Sequence, residues 1–206
     1  MAPTKLVVFD CDGVMFDSKE ANRAYYNHMR AHFGRPAMDE EELEYVHIHH
    51  VMDSMRHLFR HWPEDLMRAE EYRRELDYTP FLHHMIMEPD LVEFLRFLRP
   101  ARKTAISTNR TTTMPSVLAM FSLAELFDKV VTAIDVARPK PDPEALHKIL
   151  GHFGCGVEET IYIGDSMVDR EHTAAVGMRL IAFKNPALPA EYHATSFMEI
   201  SRLPIF

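Results

Sequence analysis

Short apolar runs and amphipathic stretches alternate along most of this chain. KLVVFD at 5–10 is a β-branched and aromatic run that ends in an acidic turn, the pattern of a strand buried on both faces. KTAIST (103–108), KVVTAI (129–134), ETIYIG (159–164) and MRLIAF (178–183) have the same character. Helical stretches lie between them: 91–98, stopped near Pro100; 115–125; 143–153, with Pro143 at its start; and 169–176, with Gly177 as its stop. A short helix over 196–203 is expected to close the chain. Strands alternating with helices predict an α/β fold, a parallel sheet covered on both faces in three layers.

Residues 18–88 break this rhythm. They hold almost no β-type run, charge is dense, and apolar residues recur at helical spacing over 19–33, 40–61 and 64–77. Leu43, Val46, His50 with Val51, and Met55 form one such stripe; Leu58, Trp62 and Leu66 form another. Gly34-Arg35-Pro36 and Trp62-Pro63 separate the helices, and Thr79-Pro80 begins the return. The expected organisation is a core of residues 1–17 and 89–206 with an inserted helical cap of residues 18–88. In parallel sheets the ligand crevice lies beyond the carboxyl ends of the strands, so an insert leaving there is placed like a lid.

Charge narrows the partners. Acidic residues outnumber lysine and arginine by 31 to 23, a formal charge of -8, which argues against binding nucleic-acid backbones in general. A local pocket can still oppose that field and take a small anion. Cys11 and Cys155 are far apart and form no disulfide framework, which suits a reducing compartment. With no signal-like apolar segment after MAPTKLVVFD and no apolar run of membrane-spanning length, the expectation is a soluble cytoplasmic protein, monomer or homodimer, with no membrane partner.

Four strand ends carry unusual polar groups: Asp10-Cys11-Asp12-Gly13, Ser107-Thr108-Asn109, Lys140 after a short loop, and Gly164-Asp165-Ser166 with Asp169 beyond. Taken singly, each has a structural explanation as a turn or a helix cap, Asp169 included. Together they would meet at one sheet edge, where clustered carboxylates repel unless compensated. A hard divalent cation compensates naturally, and Mg²⁺ prefers few carboxylates plus water and substrate phosphate. Lys140, Thr108 and Asn109 add donors for anionic oxygens, and Gly13 permits close backbone approach. The composite suits a phosphate ester with Mg²⁺, Asp10 attacking phosphorus and Asp12 moving the leaving-group proton.

The chain resembles the haloacid dehalogenase-like hydrolase superfamily, in the branch with a helical cap after the first strand. The family's FDxDGxxxDS is matched by FDCDGVMFDS at 9–18, its Ser or Thr by Thr108 followed by Asn109, its KPxP lysine by Lys140 in KPDP, and its GDxxxD by GDSMVD at 164–169. The resemblance implies a Rossmann-like core, Asp10 as nucleophile and Asp12 as acid/base. It also implies Mg²⁺ on Asp10, the Asp12 carbonyl and Asp165, with Asp169 supporting the metal or orienting Lys140. Thr108 and Lys140 would hold the phosphoryl group, and the backbone around Cys11 and Asp12 would complete its cradle.

Departures refine the reaction. Asp12 is absent from the family's true dehalogenases, so its presence points to phosphoryl transfer. Lys19 is the single lysine between 18 and 88, outside the place of the phosphonatase Schiff-base lysine. The β-phosphoglucomutase branch shares DGV but carries a histidine where this chain has Asn22, which disfavours a mutase. The expected substrate is a small phosphorylated metabolite: a phosphoglycolate-like acid, a sugar phosphate or a nucleoside monophosphate. The alternatives are a hexose-phosphate mutase and an inactive binding module on the same fold. Candidate selecting residues are Asn22, His49, His50, Arg56 and Arg60 in the cap, and Arg110 at the crevice rim. The histidine pairs His28/His32 and His57/His61 lack an HExxH context. Cys11, between two aspartates, is expected to have a raised thiol pKa and no nucleophilic role.

Overall fold

The computed structural model describes residues 3–48 and 51–206. The chain divides into two compact units, Met1–Asp17 with Met87–Phe206, and Ser18–Ile86. The inserted unit carries helices α1 (Lys19–His32), α2 (Glu40–Ile48), α3 (Val51–Leu58) and α4 (Pro63–Glu75). The other unit carries α5 (Leu91–Leu98), α6 (Met114–Met120), α7 (Glu144–Phe153), α8 (Met167–Ala174) and α9 (Phe197–Ile200).

Among the described residues, six strands form one parallel sheet. They are β1 (Leu6–Phe9), β2 (Lys103–Ser107), β3 (Lys129–Val131), β4 (Thr160–Gly164), β5 (Arg179–Phe183) and β6 (Tyr192–Ala194), ordered β3-β2-β1-β4-β5-β6. The chain builds outward from β1 to β3, then crosses back to start β4 on the other side of β1. That reversal places a crevice at the carboxyl ends of β1 and β4. Every residue of β1 is fully buried, because the strand is paired on both edges and covered on both faces. Leu6 and Val8 join Leu146 and Ile149 of α7 in one core. On the opposite face, the Phe9 ring lies 6.1 Å from Phe94 of α5 and 5.9 Å from Phe197 of α9.

Several elements differ from the sequence expectation. KVVTAI is strand only over Lys129–Val131: Asp135 accepts from the Thr132 amide at 2.8 Å and its hydroxyl at 2.6 Å, and that box turns 133–135 into a 3₁₀ turn. The helix expected over 115–125 ends at Met120, where Ser122 takes φ 56° and a 3₁₀ turn follows. Pro143 is the N-cap of α7 and not its first residue. Gly154, at φ 62°, ends α7 in the left-handed conformation. Strand β6 was not expected, since three residues beside prolines and polar groups give no alternating signal.

The inserted unit has its own core, in which Tyr25, Tyr26 and Met29 of α1 meet Leu43, Met55, Leu58 and Phe59. The helix expected over 40–61 is described as two, α2 and α3, with residues 49 and 50 outside the described set. Trp62-Pro63 starts α4, with the proline where its missing N–H costs nothing. Beside that core, buried Glu42 accepts from Arg30 at 2.5 Å and Arg60 at 2.6 Å. Burial opposes its charge, but the two guanidinium groups outweigh it and hold the carboxyl below its ordinary range.

Candidate active site

The register of the sheet fixes where the polar strand ends meet. Phe9 pairs with Ile106 of β2 and Ile163 of β4, so Asp10 leaves the sheet level with Ser107 and Gly164. The chain then turns tightly: the amides of Met15 and Phe16 donate to the Cys11 carbonyl at 2.9 and 3.1 Å. Gly13 sits in that turn at φ 78°, and a β-carbon on it would fall 2.1 Å from an Asp165 carboxylate oxygen. Glycine is therefore required twice, for its backbone angle and for the approach of Asp165.

Lys140 is the centre of the arrangement. Its ammonium lies 2.8 Å from Asp10 Oδ1 and 2.8 Å from Asp169 Oδ1, and donates to the Tyr162 hydroxyl at 3.1 Å. Burial works against the ammonium, yet the two carboxylates outweigh it and keep the lysine well above its usual range. Asp169, also opposed by burial, is held low mainly by Lys140. Burial pushes Asp10 well up, with Lys140 opposing. Burial and then the Asp169 charge push Asp165 up to about 7.

One oxygen of Asp169 faces Lys140; the other closes the N-terminus of α8. Its Oδ2 accepts from the amides of Asp165 and Ser166 and from the Ser166 hydroxyl at 2.8 Å, while Ser166 Oγ caps the Asp169 amide. The helix-cap and active-site explanations of GDSMVD thus hold together. Asp10, Asp165 and Asp169 bring one carboxylate oxygen each within 4.8 Å of one another. Asp169 already accepts from four donors, Lys140 on Oδ1 and the Asp165 amide, Ser166 amide and Ser166 hydroxyl on Oδ2, which leaves Asp10 and Asp165 as the carboxylates suited to a cation. A largely buried, oxygen-only set with two carboxyls pushed up by burial fits a hard dication such as Mg²⁺.

Residues 7–183 match the haloacid dehalogenase-like hydrolase family. The chain belongs to that family. It is similar to a HAD-superfamily hydrolase of subfamily IA, variant 1, from Geobacter sulfurreducens, with 40% identity, a TM-score of 0.85, and 96% of this chain and 95% of that one covered. It is 30% identical to hexitol phosphatase A of Escherichia coli over 184 residues, covering 87% of this chain and 83% of that protein. It is 28% identical to the pyrophosphatase PpaX of Bacillus velezensis over 171 residues, covering 79% and 75% respectively.

In this haloacid dehalogenase-like chain the remaining candidates divide by position. The Thr108 hydroxyl accepts from the Arg110 amide at 3.1 Å, which leaves its own proton to donate. Asn109 donates to the Lys140 carbonyl at 3.1 Å and so ties two strand ends together. Two expectations for the cradle are corrected: the Cys11 amide donates to Asp10 Oδ1 at 2.7 Å, and the Gly13 amide to the Phe16 carbonyl at 2.8 Å. Both amides are consumed inside the loop and do not point at an anion. The Cys11 thiol is pushed well up, with burial as the larger cause and Asp12 next. Arg110, the candidate at the crevice rim, grips the Asp12 carboxylate at 2.8 and 2.6 Å.

In the inserted unit, Asn22 accepts from the Tyr78 hydroxyl at 3.0 Å, and exposed Arg56 pairs with Asp53 at 3.0 Å. Arg60 serves Glu42. His49 and His50 lie outside the described residues. Sequence reasoning missed three contributors. Tyr162 reads as a core strand residue, yet its hydroxyl donates to the Ser107 carbonyl at 3.0 Å and receives Lys140. Asn185 donates to the Asp165 carbonyl at 2.7 Å. His172 meets Ser107 Oγ at 3.1 Å; burial, then the Lys140 charge, lower it to about 4, so it is neutral. A polar residue just past the end of β5 was the available signal for Asn185; the other contacts depend on tertiary packing.

Proposed function

We propose that this protein is a Mg²⁺-dependent phosphatase that hydrolyses a small-molecule phosphate monoester through an aspartyl-phosphate on Asp10. Family membership makes it a hydrolase, and two similar relatives bear phosphatase names. The observation that carries the reading is the Lys140 ammonium at 2.8 Å from both Asp10 and Asp169, in the cluster that also holds Asp165. Asp10, Asp165 and the backbone carbonyl of Asp12 would hold Mg²⁺, which supplies positive charge for the phosphoryl oxygens when bound.

The chain's own groups do the rest. Two donors, the Cys11 amide and Lys140, converge on Asp10 Oδ1, which leaves Oδ2 for the attack on phosphorus. As the Oδ2–phosphorus bond forms, the bond to the ester oxygen breaks, and Asp12 gives that oxygen its proton. Water then attacks the same phosphorus, Asp12 takes its proton, and inorganic phosphate leaves with Asp10 restored. Thr108 and Lys140 donate to the phosphoryl oxygens throughout. The substrate is proposed from among a phosphoglycolate-like acid, a sugar phosphate and a nucleoside monophosphate. A panel of these esters with Mg²⁺, ranked by kcat/KM, tests the reading; absence of Mg²⁺-stimulated phosphate release across the panel overturns it.

Asp12→Asn should lower kcat/KM for an alkyl phosphate by about 10²–10⁴-fold, the usual worth of a positioned acid. Its effect on p-nitrophenyl phosphate, whose leaving group needs no proton, should be far smaller. Equal losses on both substrates would remove the acid role from Asp12.

Metal binding should be linked to pH. Asp165 stands at about 7 in the folded chain against about 4 for an unfolded aspartate, so the fold binds the extra proton. Its contribution to metal-free stability is complete below about pH 4 and is lost as pH rises towards 7. Mg²⁺ requires the ionised form, so the rise in Tm it produces should grow from pH 5.5 to 7.5, with protons released on binding. Calorimetry in buffers of different ionisation enthalpy measures that release; a Tm gain equal at both pH values would contradict the assignment.

A further inference from the structure

Arg110 carries more than a surface charge. It follows Thr108-Asn109 at the end of β2, and its backbone is fixed at both ends: its amide donates to Thr108 Oγ1 at 3.1 Å and its carbonyl accepts from the Ala133 amide at 2.9 Å. Its Nη1 reaches Thr113 Oγ1 at 3.3 Å. The other side of the fork meets Asp12 in two parallel bonds, Nε to Oδ2 at 2.8 Å and Nη2 to Oδ1 at 2.6 Å. The Arg110 side chain is 9% exposed, whereas that of Asp12 is 37% exposed. The fork is thus preorganised and desolvated, while its carboxylate partner faces outward.

This pairing conflicts with the work assigned to Asp12. Both its oxygens accept from the fork, so neither is placed to pass a proton to or from a substrate oxygen while the fork holds them. A neutral hydroxyl does not displace a bidentate carboxylate from a mostly buried guanidinium, because the exchange would leave a charge without its partner. A second carboxylate or phosphate does, since it offers the same planar pair of acceptors. Lys140 does not provide this service: its ammonium, held between Asp10 and Asp169, is the one that serves the transferring phosphoryl group.

We propose that Arg110 is a specificity-determining residue that takes an anionic group on the leaving side of the substrate, and that this exchange frees the Asp12 carboxylate for the leaving oxygen. The inference rests on the phosphatase reading above and deepens it. Because the incoming anion replaces the Asp12 carboxylate, it must lie close to the ester oxygen. That selects phosphorylated short hydroxy acids and diphosphates over phosphorylated neutral polyols.

The test compares kcat/KM with Mg²⁺ for 2-phosphoglycolate, inorganic pyrophosphate and glycerol 3-phosphate, in the wild type and in Arg110→Gln and Arg110→Lys. The wild type should prefer at least one of the two acidic substrates to glycerol phosphate, and which one it prefers separates a carboxylate from a phosphate as the recognised group. Arg110→Gln should reduce that preference about 10- to 100-fold, the loss of a charge-assisted pair, chiefly through KM, and Arg110→Lys should recover part of it. If Arg110→Gln does not fold, Arg110→Lys, which keeps the charge without the fork, is read by the same ratio. A wild type that prefers glycerol phosphate, or variants that lose equally on all three, overturns the role of Arg110 and leaves the phosphatase reading standing. No turnover of any of the three, nor of the wider ester panel, overturns both.

Discussion

Asp10→Asn is expected to reduce kcat by about 10⁴-fold or more, the order of loss seen when a covalent nucleophile is removed. The amide is isosteric, so Lys140 keeps Asp169 and still finds an acceptor oxygen at the Asp10 position. Burial already pushes the Asp10 carboxyl well up, against the pull of Lys140, so a neutral group there removes a strained charge. The variant should therefore fold, and in EDTA at pH 8 its Tm should equal or exceed that of the wild type. Mg²⁺ should stabilise it less, because one of the two suited carboxylates is gone. Acid quenching during turnover of radiolabelled substrate should trap a hydroxylamine-labile phosphoryl group on the wild type and none on the variant. Substantial residual turnover, or label on another residue, would mean that phosphorus is attacked by something other than Asp10.

Much of this arrangement is legible because the chemistry sits at strand ends. LVVF is apolar throughout, which declares a strand buried on both faces, and the first charge after it must then emerge at the sheet edge. The same logic applies to Thr108 after KTAIS and to Asp165 after TIYIG. The alternation of strand and helix then puts these edges side by side. Strand lengths were less legible. In KVVTAI the run of β-formers continues past Val131, but the Thr132–Asp135 box competes with the ladder for the Thr132 amide and wins.

Within the site, the sequence named the groups but not their partners. GDSMVD marks Asp169 as important, yet spacing does not reveal that one carboxylate serves a helix cap and a buried lysine at once. Tyr162 looks like any aromatic in a central strand; only the fold shows its hydroxyl aimed along the strand at Lys140. Arg110 and Asp12 are 98 residues apart, and nothing in either local pattern announces a bidentate pair. The loop amides of Cys11 and Gly13 show the opposite failure. The motif suggests an anion cradle, while the tight turn uses both amides internally. For Asp169, Tyr162 and Arg110 the missing information is long-range geometry, which a residue pattern carries only when it repeats along an element; for Cys11 and Gly13 it is the local shape of the turn.

Lys140 separates charge from volume most clearly. Lys140→Met fills nearly the same space with no charge, and leaves Asp10, Asp169 and the Tyr162 hydroxyl around an apolar group. Removing one partner of a buried ionic cluster typically costs about 3–5 kcal/mol. Here the cost should depend on pH. Asp169 is held low in the wild type chiefly because Lys140 outweighs its burial, so its pairing adds stability above the ordinary aspartate range. Without the ammonium, burial raises it, and the fold then loses stability as pH climbs through the new value. Urea unfolding in EDTA should accordingly show a larger deficit at pH 8 than at pH 5, with proton uptake by the buried carboxyls masking part of it at the lower value. Mg²⁺ should recover part of the stability by returning positive charge to Asp10, but not the turnover, because a donor to the transferring phosphoryl group is still missing. Loss of one such donor costs about 10²–10³ in kcat. A variant as stable as the wild type at pH 8 and within a few-fold of its rate would show that Lys140 neither holds the carboxylates nor serves the phosphoryl group.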